Sequence, residues 1–302
     1  MTLTPPSYVI WRTPGAGFFS IIASTLARFH LASEMGAVPV VDFENHDSVY
    51  SELEPINGTR NMWEYYFEQP AGRSVSAVGA ESITNDGTWP EGYRYELSGS
   101  PVYGEMWRQY VRLNTATQKY VESSRTALGV DERTLAVHCR GQEMRRAIGH
   151  HFPPTVNQVN SAISWALDNY NFDKIFLVTE AQQYVDALQK KWGQRIQVSP
   201  SFRLRRRNSY TIEPSPRPFH RYLLGQEALR DAILMATCGG LVCGRSNLSE
   251  ASIMLRASGH SPLVKISQGR NSFRPYAAPF LWYAKAVLPF SMGGFGPWKP
   301  PE

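Results

Sequence analysis

In the stretch TLAVHCRGQEMRRAIGHHFPP, Thr134 to Pro154, an apolar run ends in His138, Cys139 and Arg140. A glycine, Glu143, two arginines and the pair His150 and His151 follow. In a strand, side chains alternate, so His138 and Arg140 share one face and Val137 and Cys139 the other. Two polar groups on one face at the end of an apolar strand are costly if merely buried. The placement points to a ligand, and the charge to an anion. Arg140 offers a planar fork suited to a diphosphate and stays charged at any relevant pH. An interdomain salt bridge would use the same residues equally well. Glu143, three residues on, could serve as a general base, or it could pair with Arg145 or Arg146. Zinc held by His138, Cys139, His150 and His151 is disfavoured, because Cys139 points away from His138. No metal is expected.

The chain offers other anion sites. The turn PGAGFFS joins a strand to a helix, and Gly15 and Gly17 let phosphate approach free helix N–H groups. An ordinary tight turn explains it as well, since the third glycine of a dinucleotide fingerprint is absent. Asp42 at the next strand end then proves little. Ser246 and Asn247 open a helix directly after VCGR, a second cradle at a strand end. The loop SFRLRRRNSYTIEPSPRPFHRY concentrates Arg203, Arg205, Arg206, Arg207, Arg217 and Arg221. A solvated loop is its default, and a loop over a diphosphate explains its length. No stacking motif or recognition helix accompanies it, so nucleic acid is not the expected partner. Asp231 interrupts an apolar helix.

The elements that must position these groups alternate. From Thr134 onward, TLAVHC, KIFLVTE, RIQVS, GLVCG and PLVKIS read as strands. Between them TVNQVNSAISWALDNY, AQQYVDALQKKWG, LGQEALRDAILMAT and NLSEASIMLRA carry helical periodicity, with Gly193 ending the second. Such alternation implies a parallel, doubly wound sheet whose ligands bind beyond the carboxyl ends of the strands. The N-terminal part repeats the logic with YVIWR, a helix from Phe18, and VPVVDFEN. MWRQYVRLNTATQKYVESSRTAL predicts a helix crossing between the halves. We therefore expect two α/β domains facing a cleft, 1–125 and 126–268. An aromatic tail, 269–302, should pack back on the first domain or meet a partner.

Composition narrows the classes. The chain has 302 residues, 42% hydrophobic and 19% charged, the profile of an ordinary folded protein. No run of about 18 apolar residues spans a membrane, and no signal peptide is read at the N-terminus. Three cysteines without a spacing pattern suggest buried thiols in a reducing compartment, so the expected location is cytoplasmic. A net charge of +5 fits an anionic ligand but does not require one.

The order HCRGQE…HHFPP, FDKIFLVTEAQQYVDALQKKWG, then HRYLLGQEALRDAILMATCGGLVCGRSNLSEASIM resembles the donor domain of GDP-fucose fucosyltransferases. The nearest groups are the bacterial nodulation and core α1,6-type enzymes and the O-fucosyltransferases. GAGFFSIIASTLARFHLASEMGAVPVVDFEN is similar to their opening, and the resemblance covers most of 8–50 and 130–258. It implies a GT-B-like fold of two Rossmann-like domains. It also implies an inverting transfer of fucose from GDP-fucose to a glycan or other hydroxyl acceptor, without a metal. Arg140 then matches the arginine that grips the β-phosphate. Ser246 matches the serine or threonine beside it, and Asp231 the acid near the nucleoside. His220, Arg221 and Tyr222 look like the basic-aromatic motif before that helix, at a different spacing. GQE replaces the second arginine or threonine-aspartate of the family. The family base falls near Arg146 or Ala147, which cannot do its task. Glu143 is the nearest substitute, and Glu44, beside Asp42 in the first domain, is the second. The missing base keeps open a non-catalytic nucleotide-sugar or glycan-binding protein of the same fold. A transferase using another nucleotide sugar is also open.

Overall fold

The computed structural model describes residues 5–203 and 215–300. Arg205, Arg206 and Arg207 lie outside the described residues. The chain divides into two compact units, 1–124 with 215–230, and 125–214 with 231–302.

The first unit holds three parallel strands, β1 (Ser7–Ile10), β2 (Val38–Val41) and β3 (Ile83–Thr84), in the order β2-β1-β3. Between β1 and β2 runs α1 (Phe18–Glu34), whose apolar side chains are buried almost all round. The segment MWRQYVRLNTATQKYVESSRTAL does not make the single helix its periodicity predicts. It forms the end of α2 (Pro101–Tyr110) and then α3 (Thr115–Leu128). Asn114 explains the break: its Oδ1 accepts the Thr117 N–H at 2.9 Å, which starts a new helix. Leu113 pairs with Phe67 at the same point.

The second unit is a five-stranded parallel sheet in the order β6-β5-β4-β7-β8. Its strands are β4 (Thr134–Cys139), β5 (Lys174–Thr179), β6 (Ile196–Val198), β7 (Gly240–Gly244) and β8 (Leu263–Ile266). All six residues of β4 are buried, as expected for a central parallel strand covered on both faces. Leu135, Val137 and Cys139 join Val159, Ile163 and Leu188 in one core cluster. Those partners come from α4 (Val156–Asn169) and α5 (Gln182–Trp192). A capping box of Thr155 and Gln158 starts α4, and Gly193, at φ +57°, ends α5. On the other side of the sequence pattern follow α6 (His220–Thr237) and α7 (Asn247–Leu255).

The sequence reading offered the tail the first domain or a partner, and the second unit was not among them. The tail contains α8 (Ala278–Val287) and packs within the second unit. Trp282 Nε1 donates to the Pro153 carbonyl at 2.9 Å, and the Gly296 carbonyl accepts from Gln158 at 2.7 Å. Trp298 packs edge-on against Trp165. The sequence showed that this aromatic segment had to be covered, but not by which surface.

Gly225 in α6 sets a close approach inside the first unit. A Cβ there would stand 2.2 Å from Tyr66 Oη and 2.7 Å from its Cζ. Tyr66 cannot yield easily, because it is fully buried, stacks on Tyr222 and donates to the Tyr222 carbonyl at 2.8 Å. Gly225→Ala should therefore lower stability by about 1–3 kcal/mol through overpacking, outweighing the roughly 1 kcal/mol gain in helix propensity. A urea titration showing an unchanged or raised midpoint would mean that Tyr66 relocates freely.

Candidate active site

The sheet order has its switch point between β4 and β7, where a doubly wound fold opens beyond its strand ends. Arg140 leaves β4 there, and Ser246 leaves β7. The alternation read from the sequence explains the rest. His138 and Arg140 turn to the face covered by α7, while Cys139 enters the opposite core.

Ser246 is the N-cap of α7, its Oγ accepting the Leu248 N–H at 3.3 Å. Arg140 Nη1 reaches the same Oγ at 3.3 Å, a long and weak bond. Its Nε is buried without a hydrogen-bond partner. A guanidinium so poorly satisfied beside a helix N-terminus could hold an anion, since fixed charge and helix N–H groups point to one place. Asn247, half-buried, is the first residue of that helix.

His138 contributes no charge. Its Nδ1 pairs with Ser249 Oγ at 2.6 Å, and the residue is 6% exposed. Burial, helped by the Arg140 charge, pushes its pKa down to about 3. The neutral ring ties β4 to α7 and so fixes the strand end that carries Arg140. Burial and the charges of Arg140 and Arg270 also push His150 down.

Glu143 sits in a short 3-10 turn, Gln142–Arg145, directly after Arg140. It does not pair with Arg145 or Arg146, the alternative the sequence left open. Arg145 lies over the Trp282 ring at 4.1 Å and Arg146 over Tyr283 at 5.7 Å, so both pack on α8. Glu143 instead has Glu180 as its neighbour, which the sequence reading placed with Thr179 at a ligand-facing strand end without assigning it a role. Burial and the Glu180 charge push the Glu143 pKa up to about 8. The Gly141 N–H donates to Glu180 Oε1 at 3.0 Å, and a Cβ on Gly141 would strike that carboxylate at 2.4 Å. Gly141 is therefore the seat of Glu180. Two carboxyl groups at adjacent strand ends was the available signal, and parallel pairing of Cys139 with Thr179 makes them neighbours.

Asp231 is buried at the far end of the sheet. Its carboxylate accepts from Ser199 Oγ at 2.6 Å and Ser201 Oγ at 2.9 Å. Arg203 donates to the carbonyls of Thr179, Ser201 and Ser199, binding the same strand ends together. Asp231 thus holds the loop after β6, whatever else it touches. Asp231→Asn swaps one accepting oxygen for a donor facing a hydroxyl. We expect a loss of about 1–3 kcal/mol, read as a lower urea midpoint. An unchanged midpoint would leave the serine bonds without weight.

The remaining sequence-predicted residues belong to the first unit. Gly17 is the N-cap of α1 and Gly15 adopts φ +98°, with open space beside both. The Phe18 N–H is taken by Tyr50 Oη at 2.7 Å, so part of that helix terminus is already satisfied. Asp42 closes a turn by accepting the N–H groups of Glu44 and Asn45, while the Glu44 side chain is exposed. His220 is buried at the start of α6, with Arg217 Nε 3.2 Å from its Nδ1. Arg221 approaches the Ser51 carbonyl at 3.5 Å, and the Tyr222 N–H donates to Glu52 at 2.9 Å. His220 to Tyr222 therefore anchors α6 on the segment around Ser51. Among the described residues, no three His, Cys, Asp or Glu side chains converge as a metal set.

Among solved structures, the chain is similar to NodZ alpha-1,6-fucosyltransferase soaked with GDP-fucose, at 16% identity and a TM-score of 0.56 over 83% of this chain and 93% of that one. The fucosyltransferase NodZ from Bradyrhizobium matches at 15% identity and 0.55, over 82% and 93%. NodZ co-crystallised with GDP matches at 14% and 0.55, over 82% and 92%. No protein-family model and no curated protein matches. At such identity the likeness establishes the fold: a mixed α/β chain with parallel sheets of the GT-B-like kind, as the sequence implied.

Proposed function

We propose that the chain is a glycosyltransferase that moves fucose from GDP-fucose to a glycan or other hydroxyl acceptor, inverting the anomeric carbon without a metal. The observation that carries this reading is the Arg140 guanidinium, buried at Nε without a partner and set against the N-terminus of α7 at the switch point. The solved structures of like fold that hold GDP or GDP-fucose support the choice of donor.

The acceptor oxygen forms its bond to the anomeric carbon as the bond from that carbon to the β-phosphate oxygen breaks. The electron pair stays on GDP, and the acceptor proton goes to a carboxylate. Negative charge therefore grows on the diphosphate while the sugar becomes cationic. Arg140 and the first N–H groups of α7 stabilise that charge, from positions fixed before the reaction starts. Glu143 takes the proton, and Glu44 is the alternative. His220, Arg221 and Asp231 stay assigned to the nucleoside side of the donor, and Gly15 and Gly17 to a backbone approach.

Calorimetry with GDP, ADP, UDP and their sugars tests the donor, and GDP release with a library of acceptors tests the transfer. Binding of GDP and GDP-fucose above the others, with acceptor-dependent release, is expected. A folded sample that binds neither GDP nor GDP-fucose overturns the reading. Binding without release against any acceptor would favour a nucleotide-sugar-binding protein.

A further inference from the structure

The C-terminal helix presents a second apolar face that the fold does not use. Ala278 and Trp282 of α8 are buried against the second unit. Phe280, Tyr283 and Val287, at i, i+3 and i+7, form a stripe on the outer side, 71%, 37% and 82% exposed. In the flanking segments Phe290 and Met292 are 74% and 68% exposed and Phe273 is 73% exposed. Soluble monomers seldom leave so many large apolar side chains exposed along one segment without a use.

The sequence flanking this stripe carries basic residues and no acid. From Gly269 to Pro301 the sequence holds Arg270, Arg274, Lys285 and Lys299 and no acidic residue, whereas Arg256 and Lys265, further back, are paired with Glu132 and Glu250. Arg274 adjoins Phe273, the Arg146 guanidinium lies over Tyr283, and Lys285 lies over Phe295. Aromatic and aliphatic side chains ringed by arginine and lysine are the composition of a helix that lies in the plane of an anionic bilayer surface.

We propose that α8 and the residues flanking it dock the protein peripherally on an anionic membrane surface. Charge complementarity selects this occupant over a second copy. In a two-fold dimer the same patch faces itself, which would set these arginines and lysines against their own copies with no acid between them. The inference does not depend on the activity proposed above. It bears on it, because Arg145 and Arg146, next to Glu143, pack on the same helix.

Flotation of the full chain with vesicles tests the proposal. Binding is expected to vesicles of equal parts phosphatidylcholine and phosphatidylserine, absent with phosphatidylcholine alone, and weakened by salt. Arg274→Ser should lower partitioning about fivefold, the equivalent of about 1 kcal/mol for one basic residue near the surface. Phe280→Ser with Phe290→Ser should abolish it, with an unchanged thermal transition by circular dichroism. Should that double variant fail to fold, the salt series and Arg274→Ser still decide. No binding to the mixed vesicles, equal binding to both kinds, or full binding by a folded double variant overturns the proposal. So does a dimer in sedimentation equilibrium that the same two substitutions dissociate.

Discussion

Arg140→Ala is expected to lower turnover of GDP-fucose by about 10²–10³, the usual cost of removing one fixed donor from a charge-stabilising site. GDP should also bind more weakly, because the diphosphate carries charge before the reaction as well as during it. The excess loss in turnover over binding measures how much of the interaction grows as the sugar departs. Arg140→Lys should recover little. An ammonium restores the charge but not the planar fork, and it cannot reach the position of the Nε, the atom left unsatisfied here. The fold should persist in both variants, since Arg140 has only one long bond to Ser246 to lose. Isothermal titration with GDP and single-turnover GDP release separate the two effects. Unchanged GDP affinity and turnover in the alanine variant would remove Arg140 from the site.

Why the placement of Arg140 at a strand end was legible in the sequence, and the pairing of Glu143 with Glu180 was not, is a matter of range. The placement of His138 and Arg140 follows from period two in one strand, and β4 obeys it. The α/β alternation is equally local, and each helix it predicts between β4 and β8 is present. Only the starts shift: α6 opens at His220, four residues before its apolar periodicity. Local patterns fail where a partner distant in sequence decides the outcome. Asn114 cut one periodic segment into two helices through a cap that overrode the apolar spacing. Tail residues 269–302 showed their need for cover but not its source, since Trp282 and Trp298 find partners more than a hundred residues away. Glu143 was visible as a loop acid beside Arg140. Its neighbour depended on strand pairing, and parallel register between β4 and β5 is what delivers Glu180. Arg145 and Arg146, the nearer partners in sequence, were drawn off by aromatic rings of the tail.

That pairing shapes the last expected result, for Glu143→Gln. Burial and the Glu180 carboxylate raise the Glu143 pKa to about 8, so this carboxyl pair holds a proton to higher pH than a free glutamate does. Glu143 is therefore a base only in the ionised fraction, but a strong one for a carboxylate, since a base works best with its pKa near the operating pH. Turnover should rise with pH through about 8, as the acid form of Glu143 gives way to the carboxylate. Glu143→Gln should lower turnover by about 10²–10⁴ and leave GDP affinity little changed. Stability should move the other way. A carboxyl whose pKa is raised by folding binds more protons in the native state, so stability falls as pH climbs from the usual carboxylate range toward the raised value. Glutamine still donates a hydrogen bond to Glu180 and removes that loss, so the variant should melt no lower than the parent at neutral pH. Loss of activity with undiminished stability is what a merely structural Glu143 would not produce. Glu180→Gln keeps an oxygen for the Gly141 N–H but deletes the like charge. The rise in turnover should then shift to lower pH, because Glu143 ionises more readily. If Glu143→Gln keeps full activity while Glu44→Gln loses it, the base lies in the first unit. If Glu180→Gln leaves the pH profile in place, the carboxyl pair does not set the strength of the base.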